Sequence, residues 1–146
     1  MKTILLIHGP NLNMLGKRDP KHYGSLTLRE LEKQVSAEAK KHGFKVKAFQ
    51  SNYEGGIIDF LQKNAPKASG ILINAGAYTH YSYAIHDALL DTKLPAIEVH
   101  LSKVQDREDW RSKSVTAAAC VGVVAGEKVE SYKLAVEKLA GIINQK

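Results

Sequence analysis

The spacing of hydrophobic positions changes several times along the chain, and each change marks the start of a new predicted helix or strand. Apolar runs at residues 2–8, 70–74, 95–101 and 120–125 predict strands, and the near-continuous run at 70–74 is typical of a strand covered on both faces. A further strand is predicted over residues 44–50, where Phe, Val and Ala alternate with polar residues. The sequence therefore predicts five short strands.

Helical spacing separates these strands. Apolar residues recur three and four positions apart after Thr27, over residues 57–64 and 83–91, and between residues 132 and 143. Thr27 and Glu30 match a capping box at the start of the first of these helices, and Gly43 is a natural stop at its end.

The alternation of strand and helix predicts an α/β fold with a five-stranded parallel sheet covered by helices on both faces. In this size range it favours a flavodoxin-like three-layer sandwich with strand order 2-1-3-4-5 and a crevice between strands 1 and 3. No repeat, linker or low-complexity tract interrupts the sequence, so we expect residues 1–146 to form a single domain.

Composition and charge narrow the class of partner. The net charge of +6 favours an anionic ligand, but the cations are scattered along predicted helical faces, so we expect a small anion and no nucleic acid. No apolar stretch approaches the ~20 residues that span a bilayer, and the first apolar run ends at His8. We therefore expect no membrane partner and a cytoplasmic location.

Cys120 lies in an apolar stretch and is expected to be a buried structural thiol.

The connection after the first strand is unusually long. Residues 9–27, GPNLNMLGKRDPKHYGSLT, precede any helical pattern, whereas strand-to-helix connections usually need about two to six residues. Polar residues also follow the other strands, and the carboxyl ends of parallel strands meet at one edge of a sheet, where ligands bind. We expect this long loop (residues 9–27) to cover that edge as a lid, although a structural Ω-loop has a similar composition.

Two pairs of residues suit acid–base chemistry. His100 follows Glu98 by two positions on a predicted strand, so both point to the same side, and His100 is a natural acid or base or a hydrogen-bonded strand-end histidine. Tyr23 shares its loop with Arg18, a cation that can lower the pKa of a phenol; Tyr23 is thus either a base or an aromatic plug. Together they suggest a proton removed beside a carbonyl and a leaving group protonated opposite.

Other polar residues have two interpretations. Asn11, Asn13 and Asn74 can hold an enolate or substrate hydroxyls, or cap turns. Ser102 offers a hydroxyl and neighbouring backbone N–H groups that suit a carboxylate.

Two arginines follow the fourth strand, and both are candidates for binding an anion. Arg107 and Arg111 can clamp it bidentately, or they can pair with the nearby acidic residues Asp106, Glu108 and Asp109.

Common cofactor signatures are missing from the sequence. Neither G-x-G-x-x-G nor a phosphate-binding P-loop occurs, and the histidines show no metal-ligand spacing, so we expect neither metal nor organic cofactor. A domain that binds a small anion or flavin without turnover, or a silent scaffold in a larger assembly, stays an alternative to an enzyme.

Four motifs carry a resemblance to a known family. GPNLNMLGKRDPKHYGSLT, INAGAYTH, IEVHLS and REDWRSKS occur in this order over nearly the whole chain and closely resemble the type II 3-dehydroquinate dehydratases. These are flavodoxin-like enzymes of the shikimate pathway of aromatic amino acid biosynthesis and of quinate metabolism. The resemblance implies a hydro-lyase that converts 3-dehydroquinate to 3-dehydroshikimate by anti elimination through an enolate, with no cofactor.

The resemblance also implies roles for individual residues. Tyr23 would be the base, with Arg18 lowering its pKa, Asn11 would stabilise the enolate through an ordered water, and His100, oriented by Glu98, would be the acid. Substrate binding would fall to Asn74, His80 and Arg111, to the backbone around Leu101 and Ser102, and to Asp87, which approaches a neighbouring subunit's site. The expected assembly is a homo-oligomer, a dodecamer of four trimers.

The chain departs from the family at several positions. Asp19 stands where Glu is usual, Tyr53 where His is commoner, Tyr81 where Thr is commoner and Lys103 where Asn is usual. The glycine-rich segment before the last helix reads GEKVESY, residues 126–132. None of these changes removes a proposed catalytic group.

Overall fold

Five parallel strands form one sheet in the order β2-β1-β3-β4-β5. The computed structural model describes residues 1–23, 25–103 and 107–145, with the backbone alone at residues 22 and 23. The strands are β1 (Lys2–His8), β2 (Phe44–Gln50), β3 (Gly70–Asn74), β4 (Ala96–His100) and β5 (Gly122–Ala125). The predicted flavodoxin-like strand order is confirmed.

Helices cover both faces of the sheet. They are α1 (Pro20–Tyr23), α2 (Leu28–Lys41), α3 (Glu54–Asn64), α4 (Tyr83–Thr92) and α5 (Val129–Asn144). In the part of the chain that the structure describes, none of them is long and apolar enough to cross a membrane. Side chains alternate along a strand, so Ile4 and Leu6 pack beneath α2 and α5, whereas Leu5 and Ile7 pack beneath α3 and α4.

The starts of α3 and β5 differ from the prediction, and β4 is one residue shorter at each end than the predicted 95–101. α3 begins at Glu54 rather than at residue 57, because the Glu54 side chain accepts a hydrogen bond from Ser82 and its charge suits a helix start. The first turn of α3 was not predicted, because the glycines at 55 and 56 lower its helix propensity. β5 begins at Gly122 rather than at Cys120, because residues 117–119 form a 3₁₀ turn.

Cys120 lies just before β5 and is half-buried. Its thiol donates to the carbonyl oxygen of Thr116 at 3.4 Å, and burial raises its pKa to about 12. The thiol therefore stays protonated at neutral pH, which favours the structural role expected from the sequence.

The carboxyl ends of β1 and β3 approach each other closely at Gly9. Its N–H donates to the carbonyl oxygen of Asn74 at 2.7 Å, and a Cβ at this position would lie 2.3 Å from the carbonyl carbon of Ala75. Only a residue without a side chain fits here, so Gly9 lets the two loops that leave these strands run side by side.

We therefore expect Gly9→Ala to lower the free energy of unfolding by about 1–3 kcal/mol, because the new methyl group would meet backbone atoms that cannot move aside. Gly141→Ala is the matched control: nothing lies within 4 Å of a Cβ there, and α5 should gain up to about 1 kcal/mol from the replacement. Urea unfolding of both variants measures the difference. Equal stability of Gly9→Ala and the parent chain would contradict the close approach.

Candidate active site

A cleft opens at the carboxyl ends of β1, β3 and β4. Most of the site residues predicted from the sequence line this cleft, although they come from segments far apart in the chain. They are Asn11, Arg18, Asn74, His80, His100, Leu101, Ser102 and Arg111. The β1–α2 loop (residues 9–27) thus contributes to the cleft through Asn11 and Arg18, as expected for a loop lying over this edge.

Two predicted site residues lie outside the wall of this cleft, and the side chain of a third is not described. Glu98 is 1% exposed and lies behind His100 rather than in the cleft wall. Asp87 lies on α4, pairs with His86 at 2.9 Å and is absent from the lining of this chain's own cleft. The backbone of Tyr23 ends α1, but its side chain lies outside the described residues.

Glu98 orients His100. Both side chains project from the same face of β4, and the Nε2 atom of His100 lies 2.9 Å from Oε2 of Glu98. Because a carboxylate accepts, Nε2 carries the proton of this hydrogen bond, and Nδ1 is left as the ring atom available for chemistry. The alternative of a merely structural strand-end histidine is disfavoured, because His100 also lines the cleft.

Glu98 is held as a carboxylate although it is buried. Burial raises its pKa, but the hydrogen bonds from His100, Thr116 and Ser114 outweigh that effect, and the net pKa lies below its ordinary value. Ser114 donates to Oε1 at 2.9 Å, and Thr116 donates to the same oxygen. Both carboxylate oxygens are therefore engaged, so the imidazole has a fixed partner.

Asn74 is anchored at the floor of the cleft. Its Oδ1 accepts from the N–H of Gly76 at 3.1 Å, and its Nδ2 donates to the hydroxyl of Tyr132 at 3.3 Å. Tyr132 is completely buried, and burial raises its pKa, so the hydroxyl stays neutral. An amide nitrogen carries two hydrogens, and one remains to be donated to a ligand.

His80 and Arg111 are positioned by Trp110. The guanidinium of Arg111 lies 4.0 Å from the centre of the indole ring, and the imidazole of His80 meets the same ring edge-on at 5.2 Å. Nδ1 of His80 lies 2.7 Å from the carbonyl oxygen of Lys113, so Nδ1 carries the proton and the neutral ring offers Nε2 as an acceptor. Trp110 itself is 52% exposed.

The cleft is rich in cationic side chains. Arg18, Arg107 and Arg111 line it. Arg111 also donates to Glu108, which is the pairing predicted as one of its two alternatives, and this hydrogen bond is the main reason why the pKa of Glu108 is lowered. Asp106, a further predicted partner, lies outside the described residues. The site is therefore suited to a small carboxylate.

Asn11 adopts a left-handed backbone conformation, with φ at 70°. Its N–H donates to Oδ1 of Asn52 at 3.0 Å, which connects the β1–α2 loop to the residues that follow β2. Asparagine tolerates this conformation better than most residues, so the position favours it for the backbone and also presents an amide at the cleft. Asn13 does not line the cleft and lies exposed in a 3₁₀ turn.

Among the described residues, one group of side chains is close enough together to hold a metal ion. It consists of Glu38, His42 and Glu137, whose ligand atoms all lie within 4.8 Å of one another. The group sits where α2 ends, beside the amino end of β2, and therefore at the opposite edge of the sheet from the cleft.

Two residues that support the site escaped the sequence analysis. Tyr132 occupies an apolar helical position and therefore reads as core, and nothing in the sequence signals that its hydroxyl reaches Asn74. Thr116 holds Glu98 from outside the four motifs. Both contacts are long-range, and sequence spacing does not reveal such contacts.

Fold and site together define a flavodoxin-like α/β protein with a polar, cationic cleft for acid–base chemistry at the switch point of its sheet. The family model Dehydroquinase class II matches residues 2–140. A 3-dehydroquinate dehydratase from Caldicellulosiruptor bescii is 48% identical over 145 residues, covering 99% of this chain and all of the relative. One from Prochlorococcus marinus is 44% identical over 146 residues, covering 100% of this chain and 99% of the relative.

Solved structures lead to the same family. The crystal structure of a type II dehydroquinase from Butyrivibrio crossotus superposes with a TM-score of 0.91 at 43% identity, covering 94% of this chain and 97% of the other. The chain belongs to the class II dehydroquinase family. The predicted family is thus confirmed, and membership of an enzyme family favours an enzyme over the binding module and the silent scaffold.

Titration of Glu98 should be visible in the pH dependence of stability. Its pKa is lowered in the folded chain, so its charged form contributes stability above the ordinary value of 4.5, and this contribution is lost as the pH falls through the lowered pKa. Glu98→Gln should therefore show a smaller loss of stability on acidification than the parent chain.

Ser114→Ala is the graded comparison, because it removes one donor to Glu98 and keeps the carboxyl group. In thermal unfolding measured from pH 7 to pH 3, Ser114→Ala should lose stability to an extent between that of the parent chain and that of Glu98→Gln. An unchanged pH profile in Glu98→Gln would contradict a buried, ionised Glu98.

Proposed function

We propose that this chain dehydrates 3-dehydroquinate to 3-dehydroshikimate, with Tyr23 as base and His100 as acid. Family membership and the names of the relatives support the reaction. The observation that carries the mechanism is the buried Glu98–His100 pair, which directs Nδ1 of an oriented imidazole at a cationic cleft.

The first step removes a proton from C2 of the substrate. The Tyr23 phenolate takes this proton, and the electrons of the C–H bond form an enolate with the neighbouring ketone. Arg18 lines the cleft and supplies the positive charge that keeps the phenol ionised, and Asn11 stabilises the enolate through an ordered water. The proposed proximity of Arg18 to Tyr23 is supported by their positions in the sequence, five residues apart within one loop.

The second step expels the C1 hydroxyl. The enolate electrons re-form the ketone and the C1–C2 double bond forms while the C1–O bond breaks. His100, protonated on both ring nitrogens for this step, donates the Nδ1 proton so that water leaves, and the ring ends neutral with its proton on Nε2. The carboxylate of Glu98 stays hydrogen-bonded to Nε2 throughout and keeps the ring in place. Base and acid act on opposite faces of the ring, which makes the elimination anti.

Substrate binding uses the remaining lining residues. The free N–H of Asn74, Nε2 of His80 and the guanidinium of Arg111 bind ring hydroxyls, and the backbone around Leu101 and Ser102 holds the carboxylate. One donor, one acceptor and one cation at fixed positions suit a polyhydroxylated acid.

The wider context of the enzyme also belongs to this proposal. We place the reaction in the shikimate or the quinate pathway and the chain in the cytoplasm, with residues 1–146 acting as one catalytic domain. The expected assembly is a dodecamer of four trimers, in which Asp87 approaches a neighbouring site. Support for this role comes from the exposed position of Asp87 on α4, outside its own cleft.

Tyr23→Phe should lower kcat by roughly 10²–10⁴-fold, the usual contribution of a general base, because the ring is kept and only the ionisable hydroxyl is lost. Tyr83→Phe is the matched control, since Tyr83 is 61% exposed on α4 and should leave kcat unchanged. Growth of the enone absorbance from 3-dehydroquinate measures both, in the presence of a chelator. Unchanged turnover in Tyr23→Phe would refute the assignment of the base.

His100→Ala should separate the two steps. In D₂O this variant still removes the C2 proton but cannot protonate the leaving hydroxyl, so deuterium should enter C2 of the remaining substrate faster than product forms. Tyr23→Phe should neither exchange nor dehydrate at an appreciable rate. NMR of the substrate follows the exchange, and near-normal dehydration by His100→Ala would eliminate it as the acid.

A further inference from the structure

Lys128 occupies a backbone conformation that residues with a side chain rarely adopt. It precedes α5 as its N-cap residue, with φ at 53° and ψ at −134°. Such a conformation favours glycine and persists elsewhere only where surrounding interactions hold it. The contacts that Lys128 makes must therefore hold its backbone in this conformation.

The side chain of Lys128 reaches the β1–α2 loop. Its ammonium group donates to the carbonyl oxygen of Pro20 at 3.2 Å and also to that of Lys21. Both carbonyls belong to α1, a helix of four residues whose carbonyl groups have too few partners within the helix itself. By donating to these carbonyl groups, Lys128 supplies hydrogen bonds that α1 cannot make within itself.

The backbone of Lys128 makes a second connection. Its N–H donates to the carbonyl oxygen of Leu101 at 3.0 Å, and Leu101 lines the cleft directly after β4. One residue thus joins α1, which ends at Tyr23, to the loop that follows the Glu98–His100 strand.

Apolar packing beneath the loop is incomplete at this point. A second, mainly apolar cavity lies between the β1–α2 loop and the core, lined by Leu15, Leu26, Leu31 and Leu101 together with Lys128. Because this cavity interrupts the apolar contact between the loop and the core, the hydrogen bonds from Lys128 carry a larger share of the loop's attachment.

We propose that Lys128 is a positioning residue that latches α1 against the body of the protein and so keeps Tyr23 and Arg18 at the cleft. This role rests on the proposed function for its effect on catalysis, but the latch itself is a property of the structure. The unfavourable backbone conformation is then the cost of placing an ammonium group within reach of the Pro20 and Lys21 carbonyls.

Three substitutions separate the latch from the fold. Lys128→Met keeps the length of the side chain and removes its charge, Lys128→Arg keeps the donor, and Lys128→Gly removes the donor while relieving the backbone. Lys93→Gly is the matched control, since Lys93 also has a positive φ, 58°, but ends α4 at the opposite edge of the sheet from the cleft.

Two readouts are measured on each variant: steady-state turnover, and the rate of tryptic cleavage after Lys21, identified by mass. Lys128→Met and Lys128→Gly should be cleaved there faster than the parent chain, and kcat should fall about tenfold with KM changed less, because the proposed substrate-binding residues lie outside α1. Lys128→Arg should stay close to the parent chain in both.

Thermal unfolding completes the test. Lys128→Gly should unfold at a temperature no lower than the parent chain although it is less active, a combination that a purely structural role would not produce. Lys93→Gly should gain stability and keep full activity and normal cleavage.

Parent-like cleavage and turnover in Lys128→Met would overturn the latch, and so would a loss in Lys128→Arg as large as that in Lys128→Met. A parent chain that fails to dehydrate 3-dehydroquinate would refute the proposed function instead, while cleavage after Lys21 and thermal unfolding would still judge the latch.

Discussion

The close approach of β1 and β3 at their carboxyl ends is the constraint on which the site depends. The strand order places these two strands side by side, and the chain leaves them in two loops that would collide if Gly9 carried a side chain. Asn11 lies in the loop that follows β1. Asn74 is the last residue of β3, and Gly76, with φ at 61°, lies in the loop that follows β3. The crevice is therefore a product of backbone packing before any functional side chain is considered.

Electrostatics then divide the site into a fixed anion and a cationic opening. Glu98 is buried but remains a carboxylate because His100, Ser114 and Thr116 all donate to it. Arg18, Arg107 and Arg111 line the cleft, and Arg111 also pairs with Glu108. The buried carboxylate is engaged by its own three donors, and the cationic lining of the cleft suits an anionic substrate.

Much of this arrangement could be predicted from residue order. Apolar runs and helical spacing predict the strands and α2, and the polar residues at the strand ends predict which side chains meet at the cleft. The start of α3 was predicted three residues late, because a contact from Ser82 to Glu54 stabilises a turn whose local sequence is weakly helical. The position of β5 was predicted two residues early for a similar reason, an unrecognised 3₁₀ turn.

Residue order predicts the alternation of elements, the parallel sheet and the candidate site residues, because these depend on local periodicity and on which residues follow each strand. Tertiary packing is what brings Tyr132 to Asn74, Thr116 to Glu98 and Lys128 to α1. These contacts join residues 18 to 108 positions apart, and no local pattern encodes them. Such distant partners meet only when the whole chain has packed.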